Sequence, residues 1–169
     1  MLATDAVITA KGTGIGDEIF FVGLFSEHYG QEHNLPIVRF GNISLMPDEK
    51  ISVRVTADSI IPVYGYLAEA MSWPGHSGSP VFIYYPFDRN PGTSNIAIYP
   101  LKNPDPLSGT DQFKLLGLVS AHYPIEQEVK MSETIPEEQK GRIYQHAGIV
   151  VVIPSQGIID TLNQPNLRR

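Results

Sequence analysis

Residues 73–82 read WPGHSGSPVF, and this stretch places one serine, Ser77, between two glycines, Gly75 and Gly78. Glycine neighbours let a carbonyl group approach the hydroxyl and let successive backbone N–H groups point at one spot, as a nucleophilic serine requires. The residues that follow, 80–84, are a proline and an apolar, β-prone run, which favours a strand and disfavours a helix. The stretch therefore predicts a tight loop that leads into a β-strand.

Composition limits the classes of protein to consider. The chain has 169 residues, 42% of them hydrophobic and 18% charged, with a net charge of -6, which suits one globular domain with its own core. The acidic balance argues against nucleic acid and anionic membranes as partners. We find no apolar run long enough to span a bilayer and no signal-peptide pattern at the N-terminus. The absence of cysteine excludes disulfides and thiolate sites, and no motif supports a metal or a cofactor.

The distribution of residue types along the chain predicts an all-β protein. Fifteen glycines and fourteen prolines, together with many β-branched and aromatic residues, favour short strands and turns. We expect a ribbon arm at 51–55, a surface excursion at 86–109, a solvated loop or loose helix at 124–142, and a short helix from 154 to 162. The six main strands are expected at 18–25, 36–44, 63–70, 81–85, 113–121 and 147–153. Antiparallel strands without a helical crossover indicate a closed barrel or a sandwich.

Two reaction templates fit part of the serine loop. The first is the nucleophile elbow of α/β-hydrolases, G-x-S-x-G on a turn from a strand into a helix. Gly75, His76 and Ser77 match its start, but Ser79 stands where the final glycine belongs. The β-prone residues after Pro80 also cannot form the required helix. The second template is G-x-S-G-(G/S)-P followed by a strand, and the sequence matches every position of it.

In this second pattern the loop resembles that of the trypsin-like serine proteases. Three further segments resemble strands of the C-terminal barrel in bacterial members of that superfamily, in the same order: 15–23 (IGDEIFFVG), 116–120 (LGLVS) and 147–155 (AGIVVVIPS). The resemblance implies an all-β fold, a six-stranded antiparallel β-barrel with a short C-terminal helix, over residues 15–169. Residues 1–14 would be the remnant of an upstream interdomain segment.

The resemblance also implies an activity, that of a serine endopeptidase acting on polypeptide. Ser77 would be the nucleophile, and the backbone N–H groups of Gly75 and Ser77 would form the oxyanion hole. By the same resemblance, six residues line the substrate site: Met71, Ser72 and Trp73 in the wall and floor of the specificity pocket, and Ser120, Ala121 and His122 on the strand that pairs with an extended peptide. The apolar Met71 argues against a Lys or Arg preference.

The chain departs from the family pattern in what precedes the serine. The general base and its orienting Asp come from the first barrel in this family, but here no His precedes the first strand, and Asp5 lies too close to that strand. We therefore expect the C-terminal half of a two-barrel protease, nearly inactive alone. The apolar face meant for the missing N-terminal barrel should be exposed and favour oligomers. The alternative is a non-catalytic barrel, acting as a peptide-binding or structural module.

Histidines are the remaining candidates for chemistry. His76 stands where animal trypsins carry an Asp that pairs with a new N-terminus, so that activation switch is not expected here. We interpret His76 as a loop residue satisfied by local hydrogen bonds. His28, His33 and His146 are interpreted as solvated surface residues, and His122 as a residue at the rim of the pocket.

Overall fold

A computed structural model describes residues 2–25, 30–56, 59–72, 75–85, 112–128 and 142–167. Within these ranges the chain forms two helices, α1 (Asp5–Lys11) and α2 (Ser155–Leu162). It also forms the strands β1 (Glu18–Leu24), β2 (Pro36–Leu45), β3 (Lys50–Thr56), β4 (Ser59–Tyr64), β5 (Tyr66–Ala70), β6 (Pro80–Tyr84), β7 (Phe113–Glu128) and β8 (Arg142–Pro154). Neither described helix is long and apolar enough to cross a membrane.

Six of the strands close an antiparallel barrel in the order β1-β2-β5-β8-β7-β6, with β6 returning to pair with β1. This confirms the predicted fold class, an all-β six-stranded barrel with a short C-terminal helix. The strands β3 and β4 form a separate two-stranded ribbon, as the sequence suggested for 51–55. The barrel closes without a free edge along the paired segments, which protects its backbone groups from pairing with other chains.

The barrel interior is filled by apolar side chains that alternate along the strands. In β5, for example, Tyr66, Ala68 and Ala70 are buried and the residues between them are not. Burying a large apolar side chain of this core, such as a valine, isoleucine or phenylalanine, contributes about 1.5–3 kcal/mol relative to leaving it in water. The rest of this core comprises Ala3, Ile19, Phe21, Ile43, Val81, Ile83, Tyr85, Leu116, Val119, Val150 and Val152.

Two boundaries differ from those expected. The strand expected at 63–70 is divided at Gly65, where the chain leaves the ribbon and enters the barrel; a Cβ there would lie only 3.2 Å from Val151 Cγ1. The polar stretch expected as a loop or loose helix belongs in part to strands, because β7 continues to Glu128 and β8 begins at Arg142. Their pairing satisfies backbone groups without needing an apolar pattern. The excursion expected at 86–109 lies outside the described residues.

The helix α1 was not predicted. Its N-cap residue Thr4 accepts a hydrogen bond from Val7 N at 3.4 Å, and Gly12 ends it in the left-handed conformation with φ 60°. Val7 and Ile8 pack against the barrel core. The buried Ser155 Oγ donates to the carbonyl of Ala3 at 2.9 Å, which ties the start of the chain to α2. The assignment of residues 1–14 to an interdomain segment remains a prediction.

The close approach of β7 and β8 can be tested at Gly117. A Cβ on Gly117 would overlap the carbonyl oxygen of Ile153, so Gly117→Ala should destabilise the fold by about 2–3 kcal/mol, as overpacking does. The matched control is Gly157→Ala in α2, whose Cβ would make an ordinary 3.7 Å contact with the same Ile153. It should stabilise by about 0.5–1 kcal/mol, since alanine is the better helix former. Urea unfolding measures both; equal midpoints would contradict the close approach.

Candidate functional site

The segment Gly75–Ser79, here called the Ser77 loop, leads into β6 and presents its serine to solvent. Gly75 and Gly78 have φ values of 102° and 85°, a conformation that residues with a Cβ rarely adopt. The N–H of Ser79 donates to the carbonyl of His76 at 3.0 Å, which closes a tight turn around Ser77. Ser77 itself is exposed, whereas His76 and Ser79 on either side of it in the loop are buried. The two glycines thus turn one hydroxyl outward between buried neighbours.

Two backbone hydrogen bonds fasten this loop to β7. The N–H of Gly78 donates to the carbonyl of Val119 at 2.7 Å, and the N–H of Val119 donates to the carbonyl of Ser79 at 3.0 Å. Ser77 directly precedes the bonded segment of the loop, and Ser120 directly follows the bonded residue of β7. The structure therefore brings the loop and the start of the predicted substrate strand together.

Beyond this point β7 is no longer paired with β6. Its pairing with β6 ends at Leu118, whereas Ala121 and His122 pair with Val151 and Val150 of β8. On the side of β6, residues 120–122 therefore have no strand partner within the described part of the chain. Such an edge can take up an extended peptide through main-chain hydrogen bonds. The side chain of His122 is outside the described residues, so its expected place at a pocket rim stays a prediction.

Within the Ser77 loop, the side chain of His76 is fully buried and points into the barrel. Its ring is 0% exposed and meets the ring of Phe21 edge to face, with centroids 5.5 Å apart and an interplanar angle of 73°. Burial lowers the pKa of His76 from its ordinary value of 6.5, and the positive charge of Arg39 lowers it further. The ring is therefore neutral at neutral pH. The sequence placed His76 in the loop but gave no sign of this burial.

The donors that an oxyanion hole would use are available. Within the described residues, no hydrogen bond involves the N–H of Gly75, the N–H of Ser77 or the Ser77 hydroxyl. Serine alone is a weak nucleophile and needs a neighbouring base. The described residues bring no such base to Ser77, and they contain no group of three or more His, Cys, Asp or Glu side chains that could hold a metal ion. What they supply is a serine and free amide donors.

The residues expected to form the specificity pocket follow β5. Met71 is 68% exposed, and Ser72 is 5% exposed. Within the described part of the chain, the Ser72 hydroxyl has no hydrogen-bond partner. Trp73 lies outside the described residues. The pocket itself therefore remains a prediction. His33 is exposed, as expected, while His28 and the side chain of His146 are not described.

An aromatic cluster lies on the outside of the barrel; the sequence predicted an exposed apolar face without assigning residues to it. We call it the aromatic face; it spans β2, β1, β6 and β7 and consists of Phe20, Phe40, Phe82, Tyr84 and Phe113. The ring of Phe20 lies 6.2 Å from that of Phe40, 5.3 Å from Phe82 and 5.5 Å from Phe113. Phe40 is 76% exposed. Most of these rings line an open groove of about 530 Å³, with Glu18 as its charged residue.

The signal for this face was present in β1, which reads EIFFVGL. A strand with one face in water alternates apolar and polar residues, whereas a strand covered on both faces is apolar throughout. Phe20 points to the aromatic face, and its neighbour Phe21 is buried in the core. The sequence of β1 thus indicates a strand whose outer face is also meant to be covered.

No protein-family model, no curated protein and no solved structure matches this chain. Function must therefore be inferred from the fold and from the geometry of the Ser77 loop.

The seat of the Ser77 loop on β1 can be tested at Gly23. A Cβ on Gly23 would lie 2.5 Å from Ser79 Oγ and 2.8 Å from His76 Cδ2, so Gly23→Ala should push the loop off the strand. We expect a cost of about 1–3 kcal/mol and faster hydrogen exchange at Gly78 N–H and Val119 N–H. The control is Gly14→Ala, whose Cβ would meet nothing within 4 Å. Unchanged exchange in Gly23→Ala would show that the loop does not depend on this contact.

Proposed function

We propose that this chain is the nucleophile-bearing barrel of a serine endopeptidase of the trypsin-like superfamily. The observation that carries the proposal is the exposed Ser77 on a loop with two left-handed glycines, fastened to β7 at Val119. The closed six-stranded barrel with its C-terminal helix supports it, because this is the architecture that the resemblance implies.

The chemistry would be acyl transfer. Ser77 Oγ attacks the carbonyl carbon of the peptide bond while a base removes the hydroxyl proton, and the oxyanion is received by the N–H groups of Gly75 and Ser77. The intermediate collapses by breaking the C–N bond, and the base returns the proton to the departing amine. Water then hydrolyses the ester on Ser77 and regenerates the hydroxyl. Donors fixed toward the oxyanion typically contribute about 3–4 kcal/mol each.

The substrate would be an extended polypeptide. Residues 120–122 offer an open strand edge next to the Ser77 loop, and pairing there would present a carbonyl to Ser77. The side chain before the scissile bond would enter the pocket of Met71, Ser72 and Trp73. Because Met71 brings no negative charge, this pocket suits an apolar or small side chain.

The general base and its orienting carboxylate belong, in this proposal, to a second barrel outside these 169 residues. The aromatic face supports a partner at that place, because it lies on the outer side of β6, which follows the Ser77 loop, and of β1, against which His76 packs. Exposed aromatic clusters of this kind mark interaction sites. Without its partner, the same face should drive self-association.

The first test is labelling with a fluorophosphonate probe. The chain should label weakly by itself and strongly when joined to the coding sequence upstream of Met1, because the base would then be present. Ser77→Ala should abolish the labelling. The matched control is Ser52→Ala, which removes an exposed hydroxyl on the ribbon strand β3 and should leave labelling unchanged.

The outcomes separate the candidates. Labelling that survives Ser77→Ala would refute Ser77 as the nucleophile. Strong labelling of the 169 residues alone would mean that they contain the base. Absence of labelling in every form would favour the second candidate, a non-catalytic barrel that binds extended peptide at 120–122 or serves as a structural module. The observation favouring that candidate is that the described residues bring no base to Ser77.

A second test addresses the aromatic face. Phe40→Ser should reduce self-association of the chain, because it removes the most exposed ring of the cluster. Since Phe40 is largely exposed, the fold should lose no more than about 0.5 kcal/mol. The control Leu162→Ser removes a side chain that is 66% exposed on α2 and is not part of the aromatic face. Sedimentation velocity compares the species; equal association in both variants would exclude the face as an interface.

A further inference from the structure

We propose that His76 is a positioning residue for the Ser77 loop: its neutral imidazole, seated in the barrel, holds the loop closed, and protonation in mildly acidic solution releases it. The inference rests on the proposed function in one respect, that this loop carries the nucleophile.

The site in which the His76 ring is buried is formed by residues of β1. The His76 ring is 0% exposed, and its edge contact with Phe21 is supported by the absence of a side chain at Gly23. A Cβ at Gly23 would lie 2.8 Å from His76 Cδ2, so only glycine leaves room for the ring. Since Gly75 and Ser77 are the chain neighbours of His76, fixing the ring also fixes where their two N–H groups point.

The charges around the ring oppose its protonation. On β1 the ring meets Phe21 and lies beside Gly23, and neither of these residues is charged. The strand β2 contributes Arg39, whose positive charge acts on the ring. Both burial and this cation disfavour imidazolium in the closed loop.

The direction of the pH effect follows. Burial and Arg39 lower the pKa of His76 in the closed loop, whereas a ring released to water would have its ordinary pKa of about 6.5. At pH values between the lowered pKa of the closed loop and the ordinary pKa of the released ring, the open state therefore binds more protons than the closed state. The closed loop is fully stabilised above about pH 6.5. As the pH falls below that value, the equilibrium constant for opening of the loop rises by about tenfold per pH unit.

The test follows the loop directly and needs no catalysis. Hydrogen exchange at Gly78 N–H and Val119 N–H, corrected for intrinsic exchange, should be independent of pH above about 6.5 and should accelerate by about tenfold for each unit below it. His76→Phe keeps an aromatic ring that cannot be protonated, so its exchange should show no such dependence. His33→Gln removes an exposed imidazole and should behave as the wild type.

Two results would overturn the proposal: pH-independent exchange in the wild type, or the same acid acceleration in His76→Phe. Circular dichroism checks that this variant folds. If it does not, the wild-type ring is titrated by NMR: a pKa of His76 below its ordinary value of 6.5 supports the proposal, and a pKa at or above that value refutes it. Hydrogen exchange does not use the fluorophosphonate probe, so a negative result for His76 leaves the labelling of Ser77 unaffected. Conversely, acid release of the loop can be detected even if Ser77 is not labelled.

Discussion

The structure depends on the seam where β6 returns to β1 and closes the barrel. Three residue pairs form it: Ile19–Ile83, Phe20–Phe82 and Phe21–Val81. The inner members of the seam fill the core, and its outer pair, Phe20–Phe82, begins the aromatic face. The chain enters β6 directly from the Ser77 loop, so closing the barrel also sets the loop at its end. Core, outer surface and candidate site therefore rest on one short antiparallel pairing.

The loop at the end of this seam is held from two directions. Backbone hydrogen bonds to Val119 attach it to β7, and the packing of His76 against Phe21 attaches it to β1. The first attachment is directional and fixes the register of the loop. The second attachment is an apolar contact. A neutral imidazole ring can make it, whereas burying a charged imidazolium there would cost free energy. A loop held in both ways keeps the glycines at positive φ while the serine between them stays exposed.

The sequence predicted the barrel strands well because each is an apolar run between turn-forming residues, and such runs have few other structures to adopt. It failed where the pattern is weak. The helix α1 is only Asp5–Lys11, and its signals are one cap and one small apolar patch. The extensions of β7 and β8 are polar, and their strand structure comes from pairing with each other rather than from periodicity.

Part of the candidate site could likewise be predicted from the sequence, and part of it could not. The exposed Ser77 and its two glycines could be predicted from local sequence, because the proposed nucleophile loop needs small residues next to the hydroxyl. The seat of His76 could not, since it depends on Gly23 and Phe21, which lie far from it in sequence and meet it only once the barrel has closed. The aromatic face could have been inferred from the non-alternating β1, had the second apolar face of that strand been considered separately from the first.

The anchoring of the loop and the proposed reactivity of its serine have different origins. The described contacts that shape the loop, from Ser79 to His76, from Gly78 to Val119 and from His76 to Phe21, all lie within the barrel. The loop can therefore hold its form without any second domain. Proton removal from Ser77 is a different matter, because it needs a group whose lone pair reaches the hydroxyl. The aromatic face lies on the outer side of the same strand, β1, whose inner side seats His76. In the proposed function, a partner docked there would approach a loop that is already formed, so its contribution would be a base and not a change in the shape of the loop.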